Sequence, residues 1–241
     1  MKVHRNIEQN SADWLILRSG KITASNADAL VTATGKVSTG DGVKTFLMKV
    51  LAEAWIGGPL PALQGIFDME QGKMLEESAK PAFTLHTGIA IENVAFVEAD
   101  DGRAGCSPDA GIFDGEKLVG AVEIKCPRME THIRYLLDGT LPKDYVQQVQ
   151  FSMFVTGLSK WHFFSYRWSF PNFHIVVERD PVFQDAFTKA VGDFNRSFDS
   201  AWSRLLEING GPPKSRGLAP APKPYTINPE NYSEKTGDIT P

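Results

Sequence analysis

Cysteine is scarce in this chain: 241 residues carry only Cys106 and Cys126. Two thiols cannot build a disulfide framework or a four-ligand cluster. Both are expected to be reduced, as in a cytoplasmic protein. The five histidines, His4, His86, His132, His162 and His174, show no zinc-binding spacing. No apolar run reaches membrane-spanning length. The opening residues, Met1 to Asn6, lead into polar sequence without the apolar stretch of a signal peptide. Positive charge is not in excess either. Lys and Arg number 25 against 29 Asp and Glu, a net charge of -4. That argues against a basic protein that coats nucleic acid. It leaves room for an enzyme acting on nucleic acid, because phosphate contacts need only a local basic surface.

What is present is a core. Hydrophobic residues make up 42% of the chain, enough for one large domain. Ser11 precedes Trp14, Leu15 and Leu17 and is placed to cap a helix. Thr23 or Ser25 caps a second start. The Gly-, Thr- and Ser-rich stretch 32–42 is a loop. Apolar spacing predicts a helix over 43–56, stopped by Gly57-Gly58-Pro59. Another helix is expected over 68–86, kinked or divided at Pro81, with Gly88 after it. Short strands are expected at 93–98, 104–106, 111–113 and 118–125, separated by Asp-Gly turns. Pro142 starts a helix to about Thr156, strands follow at 161–167 and 173–178, and an amphipathic helix spans about 182–207. The aromatic run Trp161 to Tyr166 is a core strand, with a base-stacking platform as the alternative. Helices around a central mixed sheet give an α/β (α+β) domain over 1–210. A flexible, Pro-rich tail is expected over 211–241.

One constellation carries chemistry. Asp109 closes the run Cys106-Ser107-Pro108-Asp109, and Glu123-Ile124-Lys125 follows fourteen residues later. Strand alternation puts Val119, Ala121, Glu123 and Lys125 on one face, and Leu118, Gly120, Val122 and Ile124 on an apolar face behind them. Pairing of the strand after Asp109 with 118–125 would bring Asp109 to Glu123. Two carboxylates can hold a hard cation through oxygen, and a lysine beside them can activate water or steady charge on phosphate. A magnesium-dependent nuclease needs that set. A solvent-facing ion pair would leave the same Glu-x-Lys signature.

More residues join the pattern. Trp14 and Leu17-Arg18-x-Gly20-x-Ile22-Thr23-Ala24-Ser25 come first, then Gly72-Lys73-x-x-Glu76. After the two acidic motifs comes Tyr145-x-x-Gln148-Val149-Gln150-x-Ser152-Met153. With these motifs, in this order over about 14–207, the chain resembles the phage lambda exonuclease family, also called YqaJ-type viral recombinases, within the PD-(D/E)xK nucleases. The resemblance implies a restriction-endonuclease-like core. It implies that Asp109, Glu123 and the carbonyl of Ile124 are metal ligands, with Glu76 serving a second ion. Two Mg2+ ions per site are implied, with Mn2+ a substitute. Lys125 would position or activate water, and Gln148 would orient the site, with Tyr145 beside it. Arg18, Ser25 and Ser107 match a pocket for a 5′-terminal phosphate. Arg offers such a phosphate a planar fork, and Ser25 stands at an expected helix N-terminus. The strand-separating wedge maps to Met69 by offset, but Gln71 stands where the family has an aromatic residue. Lys36 is a DNA-contact candidate, and the tail has no counterpart.

The implied activity is 5′-to-3′ exodeoxyribonuclease action on double-stranded DNA ends. It would release mononucleotides and leave 3′ overhangs for a single-strand annealing protein. A homotrimer ring and a phage or prophage origin in a bacterial host are implied too, with no membrane. An endonuclease of the same fold and an inactive DNA-end-binding module are the competing readings. Each site residue also has an ordinary explanation: Arg18 as a surface charge, Ser25 as a cap, Glu76 beside Glu77 as a solvated face, and Gln148 in a water-facing run. The cysteines flank the acidic residues, but magnesium does not seek thiolates, so packing is their expected role.

Overall fold

The longest strand, β6 (Lys117–Lys125), is rich in small and β-branched residues and buried from Ala121 to Ile124. Such a strand needs cover on both faces, and the rest of the chain supplies it. The computed structural model describes residues 1–60 and 78–212. The expected tail from 213 onward, the wedge candidate Met69 and the helix carboxylate Glu76 lie outside the described residues.

The described chain runs β1 (Lys2–His4), α1 (Ala12–Arg18), β2 (Ile22–Thr23), a 3-10 turn (Ala24–Ala29) and α2 (Asp41–Ile56). Helical residues 78–87, here α3, follow. Then come β3 (Phe96–Glu98), β4 (Ala104–Cys106), β5 (Ala110–Asp114), β6 and α4 (Met129–Asp138). A 3-10 turn (Lys143–Tyr145), α5 (Val146–Thr156), β7 (Lys160–Ser165), β8 (Phe173–Glu178) and α6 (Pro181–Asn209) complete it. Among the described residues no helix is long and apolar enough to cross a membrane.

The mixed β-structure forms two four-stranded sheets, ordered β1-β3-β4-β2 and β5-β6-β7-β8. β5 and β6 are antiparallel, whereas β6 and β7 are parallel, with Glu123 opposite Phe163 and Lys125 opposite Ser165. Parallel neighbours need a crossover, and α4 and α5 lie on it. On one side of β6, Val122 and Ile124 pack with Ala79, Phe83, Ala110 and Phe164. On the other, Ala121 joins the main cluster with Val149, Met153, Trp161 and Phe187.

Several expectations need adjustment. Ser11 does cap α1, accepting from the Trp14 N–H at 3.3 Å. The second helix start is a kinked 3-10 turn of six residues with no side-chain cap, because Thr23 Oγ1 turns to Asn26 Oδ1 at 3.0 Å. Pro142 starts only the 3-10 turn, and α5 begins at Val146. Helix α4 was not anticipated. The alternation in β6 also breaks. Its register shifts between Ile112 and Phe113, so Gly120 and Leu118 are successive partners and Val119 is skipped. A bulge of this kind turns residues to the other face. It moves Leu118 into the cluster that holds Ala121, away from Val122 and Ile124.

Three histidines meet where α3 covers the sheet. The rings of His162 and His174 stack at 5.2 Å with Nδ1 and Nε2 3.0 Å apart, and His86 and Phe83 stand edge-on to His174. Burial, with His162 and His86 nearby, pushes His174 down to about 4, so His174 packs here as a neutral ring.

Glycine has a steric role at Gly105 in β4. A Cβ there would collide with the ring of Phe96, which is fully buried. Gly105→Ala is expected to destabilise the protein by about 1–3 kcal/mol through overpacking, read as a lower urea midpoint. An unchanged midpoint would mean that the Phe96 ring can move aside.

Candidate active site

Asp109 follows β4 by three residues, and its segment is tied down at several points. The Gln9 amide donates to the carbonyls of Val94 (2.8 Å) and Pro108 (2.9 Å). The Asp109 N–H donates to the Val122 carbonyl at 3.0 Å. Its carboxylate Oδ2 in turn accepts the Ile124 N–H at 2.6 Å. The expected pairing of β5 with β6 therefore does bring Asp109 to the Glu123 segment.

Glu123 is 2% exposed. Its Oε1 lies 2.5 Å from Lys125 Nζ and accepts from the Gln148 side-chain amide at 2.7 Å. Gln148 stands in the first turn of α5, and Lys125 Nζ sits 5.2 Å from the centre of the Tyr145 ring. The Gln147 to Gln150 run is not a water-facing stripe. Gln150 is buried, donating to the Glu178 carbonyl at 2.9 Å and accepting the Asp180 N–H at 3.0 Å.

The electrostatics are unbalanced. Burial raises the Asp109 carboxyl above its ordinary value, against the pull of Lys125, the Ile124 N–H and Lys80. Burial, then the charge of Asp109, pushes Glu123 up to about 7. Burial would lower the Lys125 ammonium, but Glu123 and Asp109 outweigh it and raise it. Two buried carboxylates thus share the Lys125 ammonium, with Lys80 adding a weaker pull on Asp109. Their hard oxygen donors and uncompensated charge fit a divalent cation. Among the described residues no group of three or more His, Cys, Asp or Glu forms a metal centre. The third expected carboxylate, Glu76, lies outside them. Cys106 is fully buried and its thiol is pushed up to about 12, mainly by burial, so it stays protonated.

A second cluster adjoins the first. The Arg18 guanidinium lies 4.1 Å from the Trp14 ring centre, donating from Nη1 to Ser107 Oγ (3.0 Å) and from Nη2 to Ser25 Oγ (3.1 Å). Burial lowers Arg18, with Cys106 and Glu53 acting the other way. Arginine remains cationic even so. The fold thus joins Arg18 from α1, Ser25 from the 3-10 turn and Ser107 from the segment two residues before Asp109. Two clefts meet at Ser25. One of about 440 Å³ is lined by Trp14, Arg18, Thr23, Lys49 and Glu53, and one of about 380 Å³ by Asp28, Lys143, Gln147 and Gln148. Lys36 lines neither, lying in the exposed turn after Val31.

Sequence reasoning overlooked three contributors. Thr23 Oγ1 lies 3.1 Å from Ser25 Oγ. Lys80 acts on Asp109 from α3. Lys143 lines the cleft beside Gln148. Thr23 had a signal, since it stands in the Ile22-Thr23-Ala24-Ser25 motif, whereas Lys80 and Lys143 had none.

A family model described as the YqaJ-like viral recombinase domain matches residues 13–159. An alkaline exonuclease from Laribacter hongkongensis, LHK-Exo, is similar in structure at 23% identity and a TM-score of 0.69, over 83% of this chain and 98% of that one. The same protein in complex with dAMP gives 24% identity and a TM-score of 0.70, with the same coverage. A phage-related exonuclease from Haemophilus somnus 129PT gives 15% and 0.56, over 77% of this chain and 96% of that one. The likeness establishes that the chain shares the mixed α/β fold of these proteins. No curated protein matches the sequence.

The charge imbalance has a measurable consequence. Because Glu123 is raised to about 7, the folded protein holds a proton that the unfolded chain releases near 4.5. The stabilisation is full below about pH 4.5 and is lost as pH rises through about 7. Glu123→Gln leaves one carboxylate for one ammonium, so in EDTA at pH 8 its melting temperature is expected above wild type. Millimolar Mg2+ should raise the wild-type midpoint and leave the variant's unchanged. A variant less stable than wild type in EDTA at pH 8 would contradict the imbalance.

Proposed function

The chain belongs to the YqaJ-like viral recombinase domain family, and from that premise we propose that it is a metal-dependent nuclease acting on linear double-stranded DNA. In the finer reading it is a 5′-to-3′ exodeoxyribonuclease that removes mononucleotides from 5′-phosphorylated ends. The remaining 3′ overhang would serve a single-strand annealing protein in the cytoplasm of a bacterial host. The observation that carries this reading is the junction of two sites: the Arg18, Ser25 and Ser107 cluster sits two residues from Asp109 along one pinned segment. A homotrimer ring belongs to the same reading.

The chain's own groups divide the work. Arg18 binds the terminal phosphate through its fork, and the Ser25 and Ser107 hydroxyls turn from Arg18 to the phosphate oxygens. A strand held there by its 5′ end presents its next phosphodiester to the buried carboxylates. Asp109 and Glu123 would hold magnesium, with the Ile124 carbonyl and Glu76 completing a two-ion site. When bound, such ions supply an activated water and neutralise charge on the attacking and leaving oxygens. Gln148 keeps the Glu123 carboxylate oriented by donating to it. Lys125, held as an ammonium by Glu123 and Asp109, steadies charge building on the phosphate.

The test uses linear duplexes with 5′-phosphoryl or 5′-hydroxyl ends and a closed circle, with Mg2+ and then with Mn2+. Linear 5′-phosphoryl duplex should be degraded from its ends and the circle spared. Rapid cutting of the circle would establish an endonuclease instead, and end binding without cleavage an inactive module. Asp109→Ala and Lys125→Ala should each reduce cleavage by at least about 100-fold while end binding remains. Arg18→Ala should narrow the rate advantage of phosphoryl over hydroxyl ends, whereas an unchanged ratio would remove Arg18 from the pocket.

A further inference from the structure

Beyond β7 the chain makes a tight turn whose tip is a tryptophan. The Phe170 N–H donates to the Arg167 carbonyl at 3.1 Å, closing the turn over Trp168 and Ser169. Ser169 has φ of +67, as at the third position of a type II turn, where glycine or asparagine is the usual residue. Trp168 is 75% exposed. It makes no ring or cation contact with another described residue. A large aromatic ring held out in water on a left-handed serine has no role in the core, and features of this kind gather at functional sites.

The turn is anchored on both sides. His132 is fully buried, donates from Nε2 to the Pro171 carbonyl (2.9 Å) and shares a hydrogen bond between Nδ1 and Ser165 Oγ (2.8 Å). The Phe170 ring stands edge-on to His132 at 5.9 Å. Arg167 Nη1 reaches the Pro127 carbonyl at 3.4 Å. The Tyr166 N–H donates to the Lys125 carbonyl at 2.9 Å. The base of the turn is therefore tied to the end of β6, the strand that carries Glu123 and Lys125. Trp168 lies three residues beyond Ser165, which pairs with Lys125, so it stands within about 11 Å of that pair along the chain.

We propose that Trp168 is a stacking platform for an unpaired base of the DNA strand left uncut, with Arg167 and the exposed Arg128 facing its phosphates. This rests on the exonuclease reading, which creates unpaired bases beside the reacting end. An exposed indole with flanking guanidinium groups suits single-stranded nucleic acid, because every base offers a π face. Arg167 precedes Trp168 and reaches the Pro127 carbonyl, and the exposed Arg128 follows Pro127, so the positive charge here favours a polyanion over an apolar protein surface.

The probe is a labelled duplex with a 3′ thymidine tail of about ten nucleotides, compared with the same duplex made blunt, in EDTA with the full-length protein. Wild type should prefer the tailed duplex. Trp168→Ala should lose roughly tenfold of that preference, and Trp168→Phe should keep most of it. An alanine variant with the wild-type preference overturns the proposal. So does one that keeps the preference but alters the sedimenting mass, which would make the turn a protein contact. The nuclease reading is judged separately, by wild-type cleavage in Mg2+. Loss of tail preference in Trp168→Ala, with no cleavage by wild type, would sink that reading and leave the stacking site standing.

Discussion

Burying a carboxylate costs several kcal/mol unless its partners satisfy it, and the buried Glu123 stands beside a second carboxylate. Lys125 and Gln148 reach the same oxygen, Oε1, while Asp109 adds a second negative charge. Much of the fold around this point holds the three charges in place. β5 brings Asp109, β6 carries Glu123 and Lys125, and α5 supplies Gln148 from the crossover to β7. In the proposed reading, this excess of negative charge is what a divalent cation would offset.

The strand can bear this load because both of its faces are covered. Val122 and Ile124 lock into Phe83, Phe164 and Ala79 on one side, and Ala121 is held among the residues of the main core on the other. Ile124 links packing to chemistry. Its side chain is an apolar anchor, while its N–H fixes the Asp109 carboxylate. The parallel pairing with β7 extends the same rigidity past Lys125, to the turn that carries Trp168.

In the proposed reading, one short segment, Cys106 to Asp109, would couple end recognition to cutting. Ser107 faces Arg18, Asp109 faces Ile124, and Gln9 grips Pro108 between them. Two residues of backbone set the offset between the Arg18 cluster and the carboxylates. An offset fixed by backbone is hard to vary, which suits a reaction repeated at equal steps along a strand.

Much was legible from residues alone. Alternation joined Glu123 and Lys125 because a strand repeats every two residues, and turn residues bounded β4, β5 and β8 well. Ser11 declared its helix because capping is a local hydrogen bond. Other features were not local. The bulge at Val119 depends on the partner strand. Helix α4 hides in a polar stretch whose apolar face, with Tyr135 against Phe163, shows only against the sheet. The sequence by itself determined the chemical groups and their spacing: two carboxylates, a lysine, an arginine and two serines. Tertiary structure alone decided that Gln148 meets Glu123 across 25 residues and that Arg18 meets Ser107 across 89. Those meetings follow from how sheets and helices pack, which a linear pattern of side chains does not encode.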